Sequence, residues 1–211
     1  MTKVAWPQMK RSLVAILRGI RPDEIEAAVD VLVEAGFTAI EIPLNSPDPF
    51  RSIETAVKVA PSGCLVGAGT VLTTADVDRL HDIGGRLVVS PNTAPAVIER
   101  ASGFGMATMP GMMTPTEAFT AIEAGASALK FFPASVLGPS GIAAIKAVLP
   151  GDAEIGAVGG VSEEGFADYA KVGVRTFGLG SSLYKPGMAA DEIASRAAAA
   201  VRGYDHVFGG E

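Results

Sequence analysis

Glu34-Ala35-Gly36-Phe37-Thr38-Ala39-Ile40 decides how this chain folds, because in it a helix-like segment closes on a glycine and an apolar, extended stretch follows at once. Glycine reaches the left-handed conformation that turns a helix back towards a strand, so the heptapeptide reads as a helix-to-strand junction. The same junction recurs around Gly84, Gly105 and Gly125, and again in Lys171-Val172-Gly173-Val174-Arg175-Thr176-Phe177. Helix starts lie on the other side of the strands. The clearest is Thr114-Pro115-Thr116-Glu117, with a threonine to cap, a proline for the first turn and a glutamate to close a capping box. Pro22-Asp23-Glu24, Thr73-Thr74-Ala75-Asp76 and Ser162-Glu163-Glu164 are similar. Strands are expected near residues 12–18, 38–42, 64–69, 86–90, 106–109, 127–132, 154–158 and 175–179, which makes eight strand-helix units.

Alternation of this kind with short links implies parallel strands and right-handed crossovers, which leaves a closed barrel or an open doubly wound sheet. Eight units favour a (β/α)8 TIM barrel, in a single domain spanning residues 1–211. Barrels of this class typically run to about 250 residues, so the loops are expected to be lean and the helices short. The Ala197-Ala198-Ala199-Ala200 run fits a terminal helix packed closely on its neighbours.

With 48% hydrophobic residues, the chain is a folded globular protein and not a disordered one. A net charge of -6 without a basic cluster argues against nucleic acid as a partner, yet leaves room for a small phosphorylated metabolite held by backbone amides. A single cysteine, Cys64, excludes an intrachain disulfide and points to a reduced, cytoplasmic setting. His81 and His206 stand far apart with no metal-type spacing, so no metal site is expected. The stretch from Met1 to Pro7 lacks the apolar core of a signal peptide, and no run approaches membrane-spanning length.

Lys130 carries the chemistry. In Ser127-Ala128-Leu129-Lys130-Phe131-Phe132-Pro133 one ammonium sits inside an apolar, strand-like stretch. A buried lysine tends to lose its proton, and a neutral amine attacks carbonyl carbon to form a Schiff base; the plainer alternative is a lysine exposed or quietly ion-paired. Three further polar residues fall at the strand ends where barrels keep their chemistry: Arg18, Glu41 and Thr70. An arginine fork suits a carboxylate and a carboxylate suits proton transfer, although Arg18 and Glu41 also suit a buried pair and Thr70 a helix cap. Together with a reactive lysine they suit an α-keto acid. Glycine-rich stretches follow the last two strands, with Gly159 and Gly160 in one and Gly180 and Ser181 in the other. Such loops let amides approach a phosphate, or serve only as turns; neither spells a dinucleotide fingerprint.

These stretches resemble the class I aldolases that cleave 2-keto-3-deoxy-6-phospho sugar acids. The resemblance rests on LVAILRG (13–19), AIEIPLNSP (39–47), VGAGTVL (66–72), SPN (90–92), ALKFFPAS (128–135), AVGGV (157–161) and GLGSSLY (178–184), whose order and spacing are specific together. Within the family, EIPLNSP and AVGGV are similar to the phosphogalactonate branch. The gluconate-type branch usually carries an arginine where Asn45 stands and a threonine where Val158 stands, so these two positions bear on discrimination at carbon 4.

The resemblance implies that Lys130 forms the imine and Glu41 moves the protons, with Arg18 and Thr70 on the carboxylate. It further implies a phosphate cradle of Gly159, Gly160, Gly180 and Ser181, with pyruvate and glyceraldehyde 3-phosphate as products. Phe132 either walls the pyruvate pocket or is ordinary core; Met109, Met112 and Met113 are equally open between core, pocket and subunit contact. No cofactor or metal is implied, since the imine does the polarising, and a homotrimer is. The partner is then a phosphorylated keto-deoxy sugar acid, with a gluconate-specific or dual-specificity aldolase as the alternative. Two rivals share the barrel: a phosphate-binding isomerase or epimerase using Glu41 for proton transfer and Lys130 only as electrostatic support, and a silent metabolite sensor, which would be expected to lack Lys130 or Glu41.

Overall fold

The computed structural model describes residues 3–209; Met1, Thr2, Gly210 and Glu211 lie outside the described residues, so the reading of the N-terminal stretch is followed only from Lys3 onward. The strands are β1 (Leu13–Ile16), β2 (Ala39–Pro43), β3 (Leu65–Gly69), β4 (Leu87–Val89), β5 (Ala107–Met109), β6 (Gly111–Met112), β7 (Leu129–Phe131), β8 (Ile155–Val158) and β9 (Thr176–Leu179). Their order is β5-β4-β3-β2-β1-β9-β8-β7-β6, and every pairing is parallel. β5 and β6 are halves of one strand position, parted at Pro110. A proline has no N–H for the ladder, but the Pro110 carbonyl still accepts the Lys130 amide at 2.9 Å. With β5 paired to β4 and β6 to β7, the ring closes as the expected (β/α)8 barrel, its fifth strand divided.

The helices are α1 (Ile25–Ala35), α2 (Pro49–Val59), α3 (Thr74–Asp82), α4 (Pro95–Gly103), α5 (Pro115–Glu123), α6 (Ala134–Lys146), α7 (Phe166–Lys171) and α8 (Ala190–Phe208). The junction glycines behave as their sequence context predicts. Gly36, Gly84, Gly105, Gly125 and Gly173 have φ of 105°, 85°, 70°, 90° and 83°. At the strand-to-helix side the outcome is mixed. Thr114 and Glu117 form the full capping box of α5, and Thr73 accepts the Asp76 amide at the start of α3. Glu24 precedes α1 without a side-chain cap, its carboxylate accepting the Arg21 amide instead, while Ser162 opens a 3-10 turn (Glu163–Gly165) ahead of α7. Gly138 breaks α6 with φ 63°, and Pro139 begins its second half.

Alternation along the strands divides the core in two. Outward side chains such as Leu13, Ile40, Phe131 and Phe177 pack against the helices. Inward ones, among them Val14, Leu87, Val89, Met109 and Val158, fill the ring, and Trp6 joins them from the N-terminal segment. Trp6 donates its indole N–H to Ser12 at 3.3 Å, and Ser12 meets Thr176 of β9 at 2.7 Å, which ties that segment to the base of the ring. Met109 is thus barrel interior and Met112 outer core, while Met113 is exposed. The alanine-rich α8 packs on α1 and is anchored by Asp205, which accepts both Nε and Nη2 of Arg11 at 2.7 Å.

A Cβ at Gly36 would meet that anchored Arg11 guanidinium at 2.9 Å, in addition to the left-handed backbone it would have to hold. Gly36→Ala is therefore expected to lower stability by about 1–2 kcal/mol, read as a shift in the urea unfolding midpoint.

Candidate active site

Lys130 stands in the middle of β7 and Glu41 in the middle of β2, both on the inward face. Side chains in register on neighbouring parallel strands point the same way, so the neighbours decide how much room each has. Lys130 is in register with Gly111 on one side and Gly156 on the other, and Glu41 with Gly67. Glycine in register removes the side chain that would otherwise stand beside each charged group. The carboxylate of Glu41 also lies over Gly69, where an added Cβ would collide with both of its oxygens.

Both groups are nearly sealed from solvent, Lys130 at 6% and Glu41 at 2% exposure. Burial penalises each charged form and outweighs the attraction between them. It pushes the Glu41 carboxyl up to about 7, the Lys130 and Arg18 charges pulling the other way, and the Lys130 ammonium down to about 8, opposed by Glu41. Lys130 Nζ donates to the Ser90 carbonyl at 3.3 Å and lies 4.6 Å from the Phe132 ring centroid. Among the described residues, Glu41 Oε2 finds no hydrogen-bond partner. A lysine biased towards the free amine beside a carboxyl with an open oxygen can form an imine and relay a proton.

The cavity holding the pair has a volume of about 140 Å³ and is lined also by Ile16, Arg18, Thr70, Pro91, Phe132, Val158, Gly159, Gly160, Val161, Gly180 and Ser181. Every residue singled out in the sequence for catalysis, carboxylate or phosphate is therefore in one place. Arg18 lies past the end of β1 and not on it, exposed, and reaches Thr70 Oγ1 at 3.5 Å. Thr70 holds the unusual φ of 56°, a conformation costly for a residue with a β-branched side chain. Phe132 is a wall of the cavity, half-buried, and Gly159 lies against it, since a Cβ there would come within 3.1 Å of the ring. Asn45 departs from the expected picture. It is exposed, does not line the cavity, and instead accepts a hydrogen bond from Arg18 Nη1, so it bears on the site through that arginine.

Sequence reasoning missed Ile16, Pro91, Val161 and the Ser90 carbonyl. Ser90 and Pro91 belong to the SPN stretch, but nothing in a serine's side chain signals that its backbone oxygen meets a lysine 40 residues further along the chain.

Comparison with known proteins agrees with this geometry. Residues 8–199 match the family described as "Aldolase: KDPG and KHG aldolase". The chain is 69% identical over 211 residues to a "Probable 2-dehydro-3-deoxy-6-phosphogalactonate aldolase" of Rhizobium meliloti (strain 1021), covering 100% of both. It is 51% identical over 197 residues to the 2-dehydro-3-deoxy-6-phosphogalactonate aldolase of Escherichia coli (strain K12), covering 93% of this chain and 96% of the relative. A solved structure described as "Native KDPGal structure" superposes with a TM-score of 0.94 at 50% identity, covering 96% of this chain and 98% of the other. With ring, cavity and sequence in accord over nearly its whole length, the chain belongs to the KDPG and KHG aldolase family.

Proposed function

We propose that this chain is a Schiff-base aldolase that cleaves 2-dehydro-3-deoxy-6-phosphogalactonate to pyruvate and glyceraldehyde 3-phosphate. The observation that carries the reading is the buried Lys130–Glu41 pair in one cavity with Arg18 and both glycine loops. The Lys130 amine adds to the carbon-2 ketone and expels water, leaving a protonated imine. That cation takes up the electron pair of the bond between carbons 3 and 4 as it breaks. Glu41 accepts the carbon-4 hydroxyl proton, the aldehyde departs, and a proton returned to carbon 3 converts the enamine to the imine of pyruvate. Water then releases pyruvate and restores the lysine.

In this reading Arg18 and Thr70 hold the substrate carboxylate, while Gly159, Gly160, Gly180 and Ser181 receive the phosphate. Val158 and Phe132 shape the space around carbon 4, and Asn45 influences it by fixing Arg18. A phosphorylated keto-deoxy sugar acid as partner, a cytoplasmic setting and a homotrimer complete the proposal. Leu72, Met113, Phe119, Val136 and Val148 expose large apolar side chains from which a self-contact would draw, and sedimentation equilibrium reads the oligomer directly.

Borohydride added with pyruvate is expected to leave a reduced adduct on Lys130, located by mass spectrometry. Lys130→Ala should lose both the adduct and several powers of ten in turnover, whereas Glu41→Gln should keep the adduct and lose about 10²–10⁴. An unmodified Lys130, under conditions that trap a control aldolase, would instead favour the isomerase reading. With the two carbon-4 epimers side by side, the galactonate substrate should be preferred or shared; turnover of the gluconate epimer alone would contradict the roles given to Asn45 and Val158.

The pair also costs stability, and the sign follows from each shift. The native state holds the Glu41 proton more tightly than the ordinary 4.5, so stability falls as pH rises from there to about 7. It holds the Lys130 proton less tightly than the ordinary 10.5, so stability recovers as pH rises from about 8 to there. The combined variant Glu41→Gln, Lys130→Met is expected to be more stable by about 1–4 kcal/mol near pH 7–8, with the gain shrinking towards both extremes in denaturant titrations.

A further inference from the structure

The two glycine loops leave different strands, and a hydrogen bond outside the cavity joins them. The hydroxyl of Ser182, after β9, donates to the Val161 carbonyl, after β8, at 2.9 Å. The chain after β9 is tightly wound, with the amides of Leu183 and Tyr184 both donating to the Gly180 carbonyl at 2.9 Å. A turn of this kind sends its first amides backward and its later carbonyls forward, where they need partners. Arg196, on α8, supplies them. Its Nη1 reaches the carbonyl oxygens of Ser181 and Ser182, each at 3.4 Å, and its Nη2 is steadied by Glu192 at 2.8 Å. In the other loop the Gly159 carbonyl accepts the Ser135 amide at 3.0 Å. Ser135, Ser182 and Arg196 do not line the cavity, so the carbonyls of Gly159, Val161, Ser181 and Ser182 are drawn to partners outside it.

That arrangement matters for an anion. A carbonyl oxygen turned towards a phosphate repels it, and an amide attracts it, so a loop that is free to rotate its peptides binds less well than one whose oxygens are tethered. The guanidinium adds a fixed positive charge behind the loop that carries Ser181.

We propose that Arg196 is a positioning residue for the phosphate end of the substrate: it fixes the carbonyls of Ser181 and Ser182 away from the cavity and, through the Ser182 hydroxyl, holds the two loops at one spacing. The proposal rests on the phosphate reading of those loops. Its reach is limited to one end of the substrate, so it separates from the chemistry at Lys130, which needs only the keto acid.

The test compares wild type with Arg196→Met, Arg196→Lys and Glu192→Gln, using 2-dehydro-3-deoxy-6-phosphogalactonate, its unphosphorylated counterpart, and pyruvate trapped by borohydride. Arg196→Met should raise KM for the phosphorylated acid roughly threefold to tenfold, with kcat within about twofold of wild type and the rate of pyruvate trapping unchanged. Arg196→Lys should recover part of the loss, and Glu192→Gln should show the same signature at smaller amplitude. An unchanged KM in Arg196→Met overturns the proposal. So does a loss that falls equally on pyruvate trapping, since that marks a general loosening of the barrel. Wild type that uses the phosphorylated and unphosphorylated acids with equal kcat/KM defeats the phosphate reading itself, whatever the variants do.

Discussion

An amine and a carboxyl group shut inside a ring of strands, with only each other and a neighbouring guanidinium for charge compensation, constitute the constraint around which this molecule is arranged. Hydration lost on burial exceeds what their attraction returns, so both drift towards neutrality. The rest of the interior is largely apolar, from Trp6 at the base to Val158 near the cavity, and returns little of the hydration the pair has lost. The same dryness that penalises the charges makes the lysine nucleophilic and the acid able to hold or surrender a proton near neutral pH.

The glycines explain how a packed interior admits such a pair. Gly111 and Gly156 flank Lys130, and Gly67 and Gly69 lie beside Glu41. Their spare volume is already committed: a Cβ on Gly156 would strike Met109, and one on Gly67 the Leu87 backbone. Space within the ring is thus shared between side chains that seal the floor and side chains that react. The division at Pro110 fits the same scheme, because the carbonyl kept in the ladder at that point accepts the Lys130 amide and holds the strand that presents the lysine.

Much of this was legible in the residues. The helix-to-strand junctions were readable because only glycine adopts left-handed φ at little cost, and all five such junctions do so. Lys130 and Glu41 stood out because charge is rare in apolar strands. What could not be read was anything that depends on backbone atoms brought together by closure of the ring: the Ser90 carbonyl on Lys130, the Pro91 wall, and the Arg196 contacts behind the loop after β9. Asn45 marks the same boundary. Its position in a motif pointed to the substrate, whereas its side chain accepts a hydrogen bond from Arg18, a distinction that no spacing in the chain encodes.

The chemistry turns on a Lys130 ammonium that, in the free protein, gives up its proton well below the ordinary lysine range. Titrating the lysine side-chain methylenes by NMR in protein labelled with ¹³C-lysine, with Lys130→Met to assign the signal, measures this without substrate. An inflection for Lys130 well below 10.5 is the predicted result. A Lys130 signal that titrates with the exposed lysines of the same chain would contradict it.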